Sequence, residues 1–282
     1  MEPNPDLLIK KNPQISSLPE TCFLINEMVN DPNSSFGDVA RIINLDTSLS
    51  ARLLRIVNSP FYCFPQRVET ITHAISIIGT EQLRDLALAT SVISKFEGID
   101  TDQVDMNAFW RHSVGVGIAS RVTALNCRQT NSERFFLLGI LHDIGRLILL
   151  ENYPREMKPL LQAGREEGPL LVELETRTFG FHHGELGAAL CRAWNLSPLF
   201  VEVVGCHHHP QKATAYPLET GVLHLGNLLS KAMQLGSSGE EWVPPLDETV
   251  WERLGLGTGH LEGICEQVRI QFEDTVQIVL TG

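Results

Sequence analysis

The sequence predicts an all-α fold. Apolar residues recur every three or four positions along most of the chain, which is the spacing that buries one face of a helix. No segment of useful length alternates apolar and polar residues as a half-buried strand would. Capping and turn residues divide the apolar segments at short intervals, so we expect many short helices joined by turns.

The first hundred residues begin this series of helices. Pro19 and Glu20 indicate a helix start, after which Phe23, Leu24 and Met28 are predicted to form its apolar face. The sequence therefore predicts that these three side chains pack into the core.

Caps and turns separate the helices that follow. Ser35 is the predicted N-cap of one helix, and the Asn-Ser-Pro sequence at 58–60 ends another. The segment THAISIIG ends at Gly79, a favourable C-cap, and a new helix is predicted to restart at once with Thr80 as its cap.

The second half continues the helical pattern. Apolar residues recur every four positions between Trp110 and Val122, and another helix is predicted from near Ser132 through His142 and Asp143. Interruptions at 97–106 and 236–245 predict three parts: an N-terminal helical part over 1–100, a part over 101–236 that carries most of the histidines, and a C-terminal helical tail over 237–282. The last helix of this tail is predicted over about 258–280.

Composition restricts the classes of partner. The net charge is −12, with 34 acidic against 22 basic residues, which argues against general binding to nucleic acid or to an anionic membrane. Protein partners or small ligands are expected instead.

The sequence shows no signal peptide and no apolar run long enough to span a membrane, and its six cysteines are scattered, so we expect a cytoplasmic protein with reduced thiols.

An ionisable pair interrupts a strongly apolar segment. Residues 136–150 read FLLGILHDIGRLILL, with His142 and Asp143 in the middle. A buried carboxylate is costly unless it meets a cation, hydrogen-bond donors or solvent. The segment therefore predicts a cation, a basic partner or a solvent-lined cavity near this pair.

The other histidines suggest what meets the pair. The chain has ten histidines, and imidazole and carboxylate groups are common ligands of divalent transition metals. Each signal alone has a simpler interpretation. His112 suits an ordinary hydrogen bond to a carbonyl, the histidines at 207–209 suit a solvated turn, and the pair itself suits a buried contact that fixes helix packing. The same ordinary role is expected for His73, His224 and His260.

The order of these residues resembles the HD superfamily of metal-dependent phosphohydrolases, and the whole chain resembles its bacterial HDOD branch. The likeness covers roughly residues 15–235. Its motifs in this sequence are ISSLPE, INLDTSLSARLLRIVNSPFY, THAISIIGTEQLRDLAL, FWRHS, LLGILHDIGRLIL, FHHGELGAAL and CHHHP.

The resemblance implies an HD-like helical bundle, preceded by an N-terminal helical subdomain, that holds a divalent metal such as Fe, Mn, Zn or Ni. His209 is expected to be a bystander, and Asp143 and Arg146 are the candidates for a catalytic role. The implied metal ligands are His112, His142, Asp143, His183, His207 and His208.

Departures from the catalytic pattern weaken the case for hydrolysis. Arg146 stands where HD-GYP relatives have lysine, Asn227 where active enzymes have aspartate, and Ala108 where some cyclic-dinucleotide hydrolases have glutamate. His182 stands where relatives often have aspartate, and no GYP sequence follows CHHHP. Fewer carboxylates weaken metal retention and the positioning of a nucleophilic water.

Two functions follow from the resemblance. The first is a regulatory signal-transduction module of the HDOD type, non-catalytic, which responds to a signalling protein or a nucleotide-like ligand. The alternative is a metal-dependent phosphohydrolase or phosphodiesterase that acts on a nucleotide or cyclic dinucleotide, with Asp143 bridging metals and Arg146 binding phosphate.

Overall fold

The described part of the chain is helical throughout its regular structure. A computed structural model describes residues 4–96, 99, 101–165, 169–240 and 242–281, and within these residues it contains helices and no strand. The predicted all-α class is therefore confirmed.

The N-terminal part consists of short helices separated by caps. Ser35 is the N-cap of a helix and Gly79 ends another with φ of 100°, as predicted, and Ser35 also forms a capping box with Asp38. Thr80 is already the first helical residue of the next element rather than its cap. The helices are α1 (Pro5–Lys11), α2 (Pro13–Ser16), α3 (Glu20–Asn30), α4 (Phe36–Leu45), α5 (Thr47–Val57), α6 (Ile71–Ile78) and α7 (Thr80–Phe96).

The predicted apolar face of α3 is wrong for Phe23 and Leu24, whereas Met28 is half-buried and packs against the core. Phe23 is 52% exposed and Leu24 is 36% exposed, whereas Cys22 and Ile25 are fully buried. Helix α3 packs against α4 and α7 and buries Cys22, Ile25 and Asn26. Residues three positions apart share a helix face, so burying Cys22 and Ile25 turns Phe23 and Leu24 outward.

The second half begins with a long helix that forms the centre of the molecule. Helix α8 (Met106–Asn126) packs against several neighbours and is buried along most of its length, from Phe109 to Ala124. The helices that follow are α9 (Glu133–Leu141), α10 (Ile144–Asn152), α11 (Pro154–Ala163), α12 (Leu171–Phe179), α13 (His183–Ala193), α14 (Pro198–Cys206) and α15 (Pro217–Ala232), with a 3-10 turn at Pro210–Lys212.

The C-terminal helices close one side of this arrangement. Helix α16 (Glu248–Leu254) packs on α15, and α17 (Gly259–Thr281) packs along α8 and also contacts α5 and α7. The predicted final helix over 258–280 is thus confirmed to within one residue at each end. Within the residues that the structure covers, no helix is at once long enough and apolar enough to cross a membrane.

Candidate metal centre

The sequence His142-Asp143 forms a turn between two helices. Helix α9 ends at Leu141 and α10 begins at Ile144, so the prediction of one helix running through the pair is wrong. Asp143 has φ of −103° and ψ of 5°, which lies outside the helical region and breaks the chain direction. This break allows both side chains to point into one interior space, where His142 Nε2 lies 3.2 Å from Asp143 Oδ2.

The carboxylate of Asp143 is the centre of a buried group of imidazoles. Its Oδ2 atom lies 3.2 Å from Nε2 of His142 and 3.9 Å from Nε2 of His112. Its Oδ1 atom lies 3.0 Å from Nε2 of His183 and 3.8 Å from Nε2 of His207. All five side chains are essentially inaccessible to solvent, so four separate segments of the chain converge on one carboxylate.

Backbone carbonyls orient two of these imidazoles. Nδ1 of His142 donates to the carbonyl of Gly139 at 2.7 Å, and Nδ1 of His207 donates to that of Val204 at 2.7 Å. This arrangement leaves the lone pair on Nε2 facing inward, as metal-binding histidines require. Nε2 of both residues, and Nε2 of His112, has no hydrogen-bond partner among the described residues.

Two of the buried imidazoles, those of His112 and His207, are neutral and therefore able to bind a cation. Burial lowers the pKa of His112 and His207 well below the ordinary value for histidine. A neutral imidazole presents a lone pair, whereas a protonated one does not.

Asp143 is ionised despite its burial. Burial alone would raise the pKa of its carboxyl group, but the positive charge of Arg146 and the interactions with His142 and His183 outweigh that effect and hold the pKa well below the usual value. A carboxylate anion surrounded by imidazole lone pairs without partners would be satisfied by a bound cation. The residues present therefore fit a divalent metal.

Two groups of side chains have ligand atoms close enough to share an ion. Their donor atoms lie within 4.8 Å of one another in each group. The first group is Asp143, His183, His207 and His208, and the second is His112, His142 and Asp143. All six residues that the resemblance implied as ligands thus lie together, and their role as metal ligands stays a prediction.

His183 connects the centre to a carboxylate that the sequence did not reveal. Nδ1 of His183 lies 2.5 Å from Oε2 of Glu175, and its Nε2 lies 2.8 Å from Nε2 of His208. Glu175 also accepts a hydrogen bond from the backbone N–H of His183 at 2.9 Å, at the start of α13. Since a carboxylate on Nδ1 fixes the orientation of a histidine, Glu175 positions the ring of His183.

Arg146 lies inside the cluster, and its guanidinium contacts only groups of the protein interior. Its Nη1 atom donates to Oδ2 of Asp143 at 3.2 Å, to the carbonyl of Ser238 at 3.1 Å and to Oγ of Ser238 at 2.7 Å. Its Nη2 atom lies 3.1 Å from Nδ1 of His183, and its Nε atom lies 3.4 Å from Oε1 of Glu175. With 1% of the residue exposed, Arg146 is directed at the protein and not at solvent.

Neighbouring polar residues have secondary roles. His224 is buried, and its Nδ1 donates to the carbonyl of His207, which matches the ordinary role predicted for it. His182 accepts a hydrogen bond from the N–H of Gly184 and thereby caps α13. His209, the expected bystander, belongs to neither ligand group.

Asn227 lies beside the half-buried edge of the cluster. It is 3% exposed, and its Oδ1 atom has no hydrogen-bond partner among the described residues. Together with His208 it lines a surface cavity of about 230 Å³.

Two residues of the centre, Glu175 and Ser238, were not predicted from the sequence. Glu175 lies on the buried face of α12, between Leu171 and Phe179. An acidic residue with an apolar residue four positions before it and another four positions after it is a signal that could have revealed it. Ser238 belongs to a polar turn after α15, and nothing in its local sequence points to Arg146.

Comparison with known proteins agrees with the geometry. The family model of the HDOD domain matches residues 15–210. The chain belongs to the HDOD family. A relative from Treponema pallidum (strain Nichols), an uncharacterized protein, is 24% identical over 198 residues, which cover 69% of this chain and 38% of that protein. The chain thus spans well under half the length of this relative.

Solved structures share the HDOD fold. A candidate phosphohydrolase from Shewanella amazonensis SB2B is 24% identical with a TM-score of 0.74, and the match covers 97% of each chain. A candidate signal transduction protein from Marinobacter aquaeolei VT8 is 19% identical with a TM-score of 0.71, and the match covers 94% of this chain and 59% of that one. At these identities the likeness shows the fold alone.

Proposed function

We propose that this HDOD protein is a regulatory signal-transduction module that holds a divalent metal ion and does not hydrolyse phosphate esters. The observation that carries the proposal is the burial of Arg146, whose guanidinium contacts Asp143, His183, Glu175 and Ser238. In the enzyme alternative Arg146 would bind the substrate phosphate. Its guanidinium instead contacts groups of the protein interior.

The binding of a substrate phosphate would disrupt these contacts. A phosphate oxygen at Arg146 would have to replace the carbonyl and hydroxyl oxygens of Ser238, which lie at 3.1 and 2.7 Å. Ser238 is itself 1% exposed, so its displacement would leave buried polar groups without partners. The described conformation thus favours retention of a bound ion over access by a phosphodiester.

The ligand chemistry also favours binding over catalysis. Asp143 is the one carboxylate in either described group of possible ligands, and Asn227 offers a neutral amide oxygen. When bound, a divalent ion would supply Lewis acidity and lower the pKa of a bound water. A carboxylate positioned to hold such a water is a usual part of hydrolytic centres, and Asn227 cannot accept its proton.

A bound ion would instead connect separate helices. The possible ligands come from α8, the turn between α9 and α10, the start of α13 and the end of α14. Because an ion would stabilise this arrangement by binding the folded state, metal occupancy would set the rigidity of the domain. A signalling protein or a nucleotide-like ligand is the proposed partner, which agrees with the description of the Marinobacter relative as a candidate signal transduction protein.

The test compares metal content and turnover in the same preparations. Purified protein, the Asp143→Asn variant and a His209→Ala control would be analysed for bound metal and assayed with cyclic dinucleotides and bis(4-nitrophenyl) phosphate in the presence of Mn²⁺. We expect wild-type protein and the His209 variant to retain metal, the Asp143 variant to lose it, and none of the three to release product. Turnover in wild type that disappears in Asp143→Asn would overturn the proposal.

A second candidate, a metal-dependent phosphohydrolase, is favoured by one observation. The cavity of about 230 Å³ beside His208 and Asn227 reaches the edge of the ligand group and is large enough for a phosphate group. On this alternative Asp143 bridges metal ions and Arg146 binds phosphate after Ser238 moves away. A Ser238→Ala variant separates the two candidates, since it removes the hydroxyl that holds Arg146 Nη1 at 2.7 Å. The enzyme should gain activity when that hydrogen bond is lost, and the module should not.

A further inference from the structure

We infer, on the basis of the metal binding proposed above, that the centre holds one divalent ion per chain and that Arg146 excludes a second. The two groups of possible ligands share Asp143, so the donor positions alone would allow two neighbouring ions. Two-metal centres place their ions about 3.5–4 Å apart, with shared carboxylates between them. The charge of the surrounding residues therefore decides how many ions can be held.

The buried charges at the centre balance one ion better than two. Asp143 and Glu175 are carboxylates, and Arg146 is a guanidinium 3.2 Å from the first and 3.4 Å from the second, which leaves a net formal charge of −1. The imidazoles count as neutral because metal ligands must be deprotonated. Lys231 and Glu240, the neighbouring charged pair, form an ion pair with each other. In this site without solvent, one divalent ion would bring the net charge to +1 and two would bring it to +3. Without the guanidinium two ions would leave +2, so the charge of Arg146 is what raises the cost of the two-ion state.

Arg146 also lies where a second ion would be repelled. Its Nη1 atom is 3.2 Å from Oδ2 of Asp143, the carboxylate that two ions would share. Its Nη2 atom is 3.1 Å from Nδ1 and 3.3 Å from Nε2 of His183, so the guanidinium lies against the ring of a possible ligand. An ion held by His183 and Asp143 would have a permanent positive charge as its neighbour.

Glu175 and Ser238 hold the guanidinium in this position. Arg146 Nε lies 3.4 Å from Oε1 of Glu175, and two oxygens of Ser238 accept hydrogen bonds from Nη1. Since the residue is 1% exposed and enclosed by these partners, Arg146 cannot withdraw to solvent to admit a second ion. The arginine thus serves as the second cation of the centre.

The inference is tested with three proteins that differ in the charges of the buried cluster. They are wild type, Arg146→Met, and the double variant Arg146→Met with Glu175→Gln. Methionine removes the positive charge at similar length, and the double variant restores the wild-type net charge of the cluster. Each protein would be dialysed against the same free Mn²⁺ concentration, and bound manganese would be measured by elemental analysis and by electron paramagnetic resonance, which distinguishes an isolated ion from a coupled pair.

We expect about one manganese ion per chain with an isolated-ion spectrum in wild type, about two with a coupled spectrum in Arg146→Met, and about one again in the double variant. Two coupled ions in wild type, or one ion in a folded Arg146→Met, would overturn the inference. Two ions in the double variant would also overturn it, because space and not charge would then set the number.

The failure of metal binding itself is distinguishable from these results. Folded wild-type protein with no manganese at any concentration would reject the proposed function, and the inference would fall with it. Two ions in wild type would reject the inference alone. If Arg146→Met does not fold, as judged by thermal unfolding, Arg146→Gln takes its place, because glutamine also removes the charge and keeps hydrogen-bond donors for Ser238.

Discussion

Gly145 of α10 lies in direct backbone contact with His183 of α13. A Cβ atom added to Gly145 would stand 2.0 Å from the carbonyl oxygen of His183 and 2.8 Å from the amide nitrogen of Gly187. Only a residue without a side chain permits the two helices to approach so closely. This approach brings the carboxylate of Asp143, two residues before Gly145, to within 3.0 Å of the His183 ring.

We expect Gly145→Ala to weaken both the fold and metal binding. The added methyl group meets backbone atoms that cannot move aside, so we expect the free energy of unfolding to fall by about 1–3 kcal/mol or more. The separation of α10 from α13 should also reduce the affinity for Mn²⁺. Urea unfolding of metal-free protein and a titration with Mn²⁺ would measure the two effects.

Gly263→Ala is the matched control for this substitution. Gly263 lies in α17, and a Cβ added there would meet no atom within 4 Å. Since alanine is the better helix former, this variant should be as stable as wild type or more stable by up to about 1 kcal/mol. Equal behaviour of the two variants would contradict the role given to the Gly145 contact.

Much of this architecture was predictable from local sequence. The N-cap at Ser35, the stop at Gly79 and the final helix each depend on residues near one another in the chain, and the structure confirms them. The face of α3 and the break at Asp143 were predicted wrongly because both depend on distant partners. A periodic pattern identifies a helix but does not say which of two apolar faces will find space in the core.

The candidate centre was likewise predictable where it depends on local motifs and not where it depends on distant partners. The six side chains implied as ligands by the resemblance do lie together, because each stands in a recognisable local motif. Glu175 and Ser238 come from elsewhere in the chain, and their contacts with Arg146 depend on how α12 and the turn after α15 pack. Long-range packing thus determines the state of Arg146, on which the proposed function depends.

Asn227→Asp should increase the affinity for metal. The side chain is buried with an oxygen that lacks a partner, and a carboxylate there would add a negative charge and an anionic ligand beside His208. We expect the dissociation constant for Mn²⁺ to fall by about tenfold or more. Asn107→Asp, at an exposed position, makes the same chemical change away from the centre and should leave the affinity unchanged. An unchanged affinity in Asn227→Asp would show that this residue does not face the ion.

Arg121→Met should destabilise the junction between the N-terminal helices and α8. The guanidinium lies 3.9 Å from the centre of the Phe61 ring and 3.7 Å from Oε1 of Glu133, and both charged residues are nearly inaccessible to solvent. Removing one partner leaves a buried carboxylate unpaired, which typically costs about 3–5 kcal/mol. Adding Glu133→Gln should recover a large part of this loss in urea unfolding. If the single and double variants were equally unstable, stacking on Phe61 and not the ion pair would be the main interaction.

Asp85 should make the stability of the metal-free protein depend on pH. Burial raises the pKa of this carboxyl to about 6, although Arg84, 2.9 Å away, opposes the shift. The folded state therefore keeps the proton at a pH where the unfolded chain, with the ordinary value of 3.8, has lost it. The contribution of Asp85 to the free energy of unfolding is therefore greatest below the pKa of the unfolded chain. It falls as the pH rises toward the pKa of the folded state, by a total of about 3 kcal/mol.

The Asp85→Asn variant isolates this contribution, because asparagine stays neutral at every pH. We expect the free energy of unfolding of wild type, relative to that of the variant, to decrease between about pH 4 and pH 6 and to be constant above that window. Asp102→Asn, at an exposed position with the same chemical change, should follow wild type throughout. A difference between wild type and Asp85→Asn that increased with pH would mean that Arg84 holds the carboxylate ionised, and that the buried pair stabilises the fold through its charges.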